Sequence, residues 1–167
     1  MNRNHAVKFI VTEMGLFLIL LILQTTVMAR WRWFGAVPDL CFAGLILLSC
    51  FCGKETGAVT GIALGFCVDA LGSTGISLLP VCYLFCGYLW GYFGSVYGRQ
   101  STLTCFLLAL AALPVRTVIT LLLTLLSHHG VTFLPLLLNL LAELGANALA
   151  TVALFFPLRR IGRFLVG

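Results

Sequence analysis

Long apolar runs broken by short polar or glycine-rich stretches organise this 167-residue chain. Six runs stand out, at about residues 9–28, 37–52, 55–71, 76–96, 102–127 and 132–158. They are too long and too continuous for strands, and strict apolar–polar alternation is absent, so each predicts a helix. A bilayer crossing needs about 20 mainly apolar residues. The pattern therefore predicts an all-α, polytopic membrane protein with about six transmembrane helices, forming one integral domain over residues 1–167. The runs at 37–52 and 55–71 are short, which leaves open a tilted or incomplete crossing by one of them.

Inside the third run, "GKETGAVTGIALGFCVDALGSTG" places Gly53, Gly57, Gly61 and Gly65 at every fourth position, and Asp69 takes the next step. Residues four apart share one helix face. Lipid supplies no hydrophobic force between helices, so small residues serve by letting two backbones approach closely. Gly57, Gly61 and Gly65 thus predict a close-approach seam, with Asp69 fixing one end. Gly87, Gly91, Gly94 and Gly98 form a second set, and Ala142, Ala146 and Ala150 a third. Internal packing is the plain expectation for each. Four glycines in series could also admit a partner helix or a small ligand.

Ionisable residues inside the runs define the candidate polar sites: Asp39, Asp69, Arg116 and Glu143. A charge at the centre of a bilayer-spanning helix costs about 2.5–3.5 kcal/mol on insertion scales, and normally pairs or faces water. Counted from the Gly53-Lys54 tip of the second and third helices, Asp39 and Asp69 both lie roughly 21 Å away. Two level carboxylates raise the reading of an aspartyl dyad for intramembrane proteolysis. Against it, Asp39 follows Pro38 and can cap the second helix. Asp69 can reach the interface or a donor in the Gly72–Gly75 turn. Arg116 lies eleven residues before Ser127 and Glu143 eleven after Thr132, so the two match in depth and are expected to pair. Arg116 also lies near the height of Asp69, a possible second partner. Pro114 is expected to kink the fifth helix.

Composition narrows the class. Hydrophobic residues make up 61% of the chain and charged residues 9%, with mean hydropathy +1.11, against about 25% charged in a soluble domain. The net charge of +5 does not point to nucleic acid, because the basic residues fall between apolar runs. Arg3, Lys8, Lys54, Arg99, Arg159, Arg160 and Arg163 would lie on one side of six crossings, and Arg30 and Arg32 on the other. The positive-inside rule then puts both termini in the cytoplasm. Trp31, Trp33 and Phe34 suit an interfacial anchor beside the outer arginines. Arg3, Lys8, the following apolar run and Val27-Met28-Ala29 faintly resemble a cleavable signal peptide, though the run is long and Glu13 interrupts it. The seven cysteines, Cys41, Cys50, Cys52, Cys67, Cys82, Cys86 and Cys105, all lie in apolar segments and read as small buried hydrophobes. No cofactor or metal is expected.

Pro38-Asp39-Leu40, a short span, the glycine ladder closed by Asp69, a Gly-x-x-Gly turn, and then Leu, Tyr and Gly-Tyr form an ordered set over about residues 37–98. This set resembles the rod shape-determining protein MreD family. The resemblance implies a non-enzymatic scaffold or regulator of the bacterial cell-wall elongation machinery, located in the cytoplasmic (inner) membrane. It implies association with an MreC-like single-pass membrane protein. It also implies links to a RodA-type glycosyltransferase, its transpeptidase partner and MreB filaments. The alternative is a substrate-binding (S) component of an energy-coupling factor vitamin transporter, a six-helix fold that the MreD family resembles. Such a component would present small residues on helix 1 to its coupling partner, whereas Gly15 is the lone small residue in that helix's apolar body.

Overall fold

The structure, a computed structural model, describes residues 3–28, 30, 37–71, 78–98, 102–127 and 133–166. All its regular elements are helical. They are α1 (Arg3–Leu23), α2 (Leu40–Cys52), α3 (Lys54–Leu71), α4 (Leu79–Phe93), α5 (Thr102–Ser127) and α6 (Phe133–Val166). α1 and α4 each continue into a π-helical turn, Gln24–Met28 and Gly94–Gly98. Two stretches, Leu79–Tyr97 and Leu137–Ile161, are long and apolar enough to cross a membrane. Val11–Val27, Leu40–Cys52 and Leu103–Ile119 are shorter apolar helical stretches.

Helix ends depart from the apolar runs where local chemistry overrides hydropathy. α1 starts at Arg3 rather than 9, because the polar leader Arg3–Lys8 contains no helix breaker and extends the same helix. α2 starts at Leu40 rather than 37, because Pro38 and the capping Asp39 precede it. Pro80 lies in the first turn of α4, which begins at Leu79 rather than 76. α6 runs on to Val166, past 158, and takes Pro157 and the arginines into the helix. α5 is continuous through Pro114.

α2 is the axis of the molecule. It packs against each of the other five helices, and every residue from Leu40 to Cys50 is buried. A helix apolar all round belongs in an interior. At 13 residues it is about 20 Å long, short of the roughly 30 Å hydrocarbon thickness. Phe17 and Leu20 of α1 lie over Gly44. Trp90 of α4 donates its indole N–H to the Leu108 carbonyl of α5 at 2.7 Å, which ties those two helices. At the α2–α3 corner Gly53 has φ 99°, a left-handed conformation that a side chain would strain.

α3 and α4 form an antiparallel hairpin joined backbone to backbone. A Cβ added at Gly57 would run into the Gly87 carbonyl oxygen, and one at Gly61 into the Tyr83 carbonyl. At Gly65 it would meet Pro80, and at Gly91 the backbone of Gly53 and Lys54. Gly57, Gly61 and Gly65 are buried in this contact together with Gly87 and Gly91. Between the two expectations for the seam, internal packing or a docked partner helix, α4 itself fills it. Gly94 extends the line onto Cys50 of α2. Ala146 and Ala150, of the third small-residue set, are buried on α6.

Candidate functional site: a buried polar cluster

Groups from five helices gather around Asp39 and its neighbours at the end of the bundle where α1 finishes and α2 begins, and three of the helices reach its carboxylate. Asp39 caps α2, its Oδ1 accepting from the Phe42 N–H at 2.9 Å. Its Oδ2 accepts from the Tyr83 hydroxyl of α4 at 2.6 Å. The same oxygen accepts from Nε and Nη2 of Arg116 on α5, at 3.1 and 3.0 Å. Arg116 reaches on to α6, where Nη1 lies 3.1 Å from Glu143 Oε1. The Asp39 backbone N–H donates to Oδ1 of Asn147, also on α6, at 2.6 Å. Gln24, at the π turn after α1, completes the ring: its amide donates to the Pro38 carbonyl at 2.9 Å and accepts from the Leu40 N–H at 2.8 Å.

Local sequence explains how each group arrives. Glu143 and Asn147 are four apart and share one face of α6. Tyr83, Gly87 and Gly91 also fall at intervals of four, so the glycine face of α4 carries the tyrosine one turn beyond the glycines. Phe42 meets the Tyr83 ring edge-on at 5.5 Å, and the Arg116 guanidinium lies 5.8 Å from the Phe42 ring centroid. The two rings cover one side of the Arg116–Asp39 pair, and the lower local dielectric there strengthens it. Asp39 is 6% exposed and Asn147 2% exposed, so their polar atoms depend on these protein partners.

The expected Arg116–Glu143 pair is present in the structure, joined by Asp39 as a second carboxylate. The dyad reading fares differently: Asp39 directs its oxygens to Phe42, Tyr83 and Arg116. Asp69 is half-buried near the C-terminus of α3, and the Gly72–Gly75 turn proposed to hold it lies outside the described residues. Gln24 and Asn147 are not among the residues that the sequence points to, and Tyr83 figures there only as the tyrosine of the ordered set over residues 37–98, with no polar role. For Asn147 the signal was its position four after Glu143. For Tyr83 it was the step of four back from Gly87. Gln24 carried no signal, because its role depends on where α1 ends against α2.

The seven cysteines are free thiols, with Cys41, Cys50, Cys86 and Cys105 buried. Glu13 of α1 is 6% exposed, and its Oε1 has no hydrogen-bond partner among the described residues. No protein-family model, curated protein or solved structure matches this chain.

Proposed function

We propose that this chain is a multi-pass protein of the bacterial cytoplasmic membrane, with both termini cytoplasmic. In this reading it is a non-enzymatic scaffold of the cell-wall elongation machinery of the MreD type. The membrane part rests on one observation, an apolar exterior wrapped around a largely buried polar cluster. Val11, Met14 and Leu18 of α1, Val59 and Phe66 of α3, and Phe156 of α6 are all 60% exposed or more. Soluble monomers rarely expose contiguous apolar patches beyond a few hundred Å², whereas lipid favours such a surface. Asp39, Arg116 and Glu143, which lie within the apolar runs, turn inward and pair, as membrane helices require.

The scaffold part rests on the sequence resemblance, and the chemistry of the cluster agrees with it. Asp39 accepts four hydrogen bonds. A carboxylate so engaged works as a structural anchor, since a general base must have a lone pair aimed at a substrate proton. An S-type transporter fold would share the helix count and differ in what it binds.

Affinity purification of the tagged chain from native membranes in mild detergent, followed by partner identification, tests the reading. Recovery of an MreC-like single-pass protein with wall-synthesis enzymes is the expected result. Recovery of a coupling ATPase complex would transfer the assignment to the transporter class.

A further inference from the structure

Away from the polar cluster, a groove opens between α5 and α6 near the start of α5 and the C-terminal part of α6. Leu103 and Phe106 of α5 line it with Val152, Phe155, Phe156 and Arg159 of α6, around a cavity of about 310 Å³. Phe106 and Phe155 meet edge-on at 4.9 Å, which holds both rings in place. Val152 and Phe156 remain exposed. Arg159 is the charged residue of the lining, and its Nε is buried without a hydrogen-bond partner among the described residues. The guanidinium brings a positive charge and several N–H donors to the groove, which favours an anionic acceptor from outside the chain. Arg160 is exposed beside it.

The lining asks for an amphiphile with an apolar tail along the phenylalanines and an anionic oxygen at the guanidinium. We propose that this groove holds one acyl chain of an anionic phospholipid, whose phosphate accepts from Arg159. The inference rests on the membrane reading above. In that reading Arg159 and Arg160 lie at the cytoplasmic face, where anionic headgroups attract basic side chains. The cavity is at the lower end of the range for small-molecule sites, about 300–1,000 Å³, which suits one chain rather than a whole diacyl lipid. Arginine suits the phosphate because its planar fork offers several N–H groups to the same anion.

Native mass spectrometry of the full chain in mixed micelles tests this, with equimolar dioleoyl phosphatidylglycerol and dioleoyl phosphatidylcholine. The phosphatidylglycerol adduct should exceed the phosphatidylcholine adduct roughly fivefold, the effect of about one interfacial arginine. Arg159→Gln should bring the two to parity, and Arg159→Lys should keep most of the preference. Val152→Trp should fill the groove and remove both adducts without changing charge, while thermal unfolding shows each variant folded. Equal adducts in the parent, or a preference that survives in Arg159→Gln, would overturn the site. So would displacement of the lipid by millimolar inorganic phosphate, which would mark a free-anion site. A dimer that Val152→Trp dissociates, with no lipid preference, would assign the groove to a second copy. Carbonate washing of membranes reads the underlying placement separately. A chain that resists the wash yet shows no lipid preference removes the lipid site alone. A chain that washes off removes the membrane reading as well.

Discussion

At the scale of residues, Arg116 is the side chain on which the buried cluster turns, because it contacts both Asp39 and Glu143. Removing one partner of a buried ion pair costs about 3–5 kcal/mol, since the charge left behind has no water to turn to. Arg116→Leu should therefore lower thermal stability in detergent by about that amount. Glu143→Gln should cost only about 1 kcal/mol, because Arg116 keeps Asp39 and glutamine still offers an acceptor. The double change Arg116→Leu/Glu143→Leu should stay nearly as unstable as Arg116→Leu, because Asp39 loses its countercharge either way. If the double variant instead regains most of the loss, Glu143 is the main anchor. The Glu143 contact was legible in the sequence because α5 and α6 are consecutive, and counting from their shared loop sets depth. The Asp39 contact spans 77 residues and two helices that are not neighbours in the chain. Counting along one hairpin carries no information about which helices meet across the bundle.

At the scale of elements, the α3–α4 seam is a contact between backbones, so even one methyl group matters. Gly61→Ala would drive a Cβ into the Tyr83 carbonyl, and the helices would have to separate. Overpacking of this kind costs about 1–3 kcal/mol. Gly15 and Gly145 are helical glycines with nothing within 4 Å of an added Cβ. Alanine there should be neutral or stabilising by about 0.5–1 kcal/mol, the helix-propensity gain over glycine. Thermal unfolding of the three alanine variants in one detergent gives the comparison, and equal behaviour of Gly61→Ala and Gly15→Ala would refute the close approach. The seam's existence was readable from the spacing of four. Its occupant was not, because small-residue stripes look alike whether they receive the next helix of the same chain or another protein. α2 shows a different limit. Its almost wholly apolar sequence, with Ser49 as the exception, reads equally as a lipid-facing span or an enclosed core, and only the presence of helices on every side separates the two.

At the scale of the whole molecule, the seven-to-two division of Lys and Arg predicts six crossings with both termini inside. Single cysteines in a cysteine-free background test this in intact protoplasts. A thiol near Arg99 should be shielded from an impermeant reagent, and one near His128 should react. The reverse pattern would invert the molecule and move the Arg159 groove to the outer leaflet. The arrangement also has a consequence for biosynthesis. Asp39 emerges early, while Asn147, which accepts from its backbone, is made 108 residues later. At about 5–20 residues per second, the start of α2 waits roughly 5–20 s for its last partner. Glu143 belongs to the same late helix. A nascent chain therefore lacks the Asn147 contact of Asp39 and the Glu143 contact of Arg116 until α6 is made. In the membrane reading proposed above, a chain cut before α6 would carry Arg116 without Glu143 inside the bilayer, where an ill-matched charge is costly.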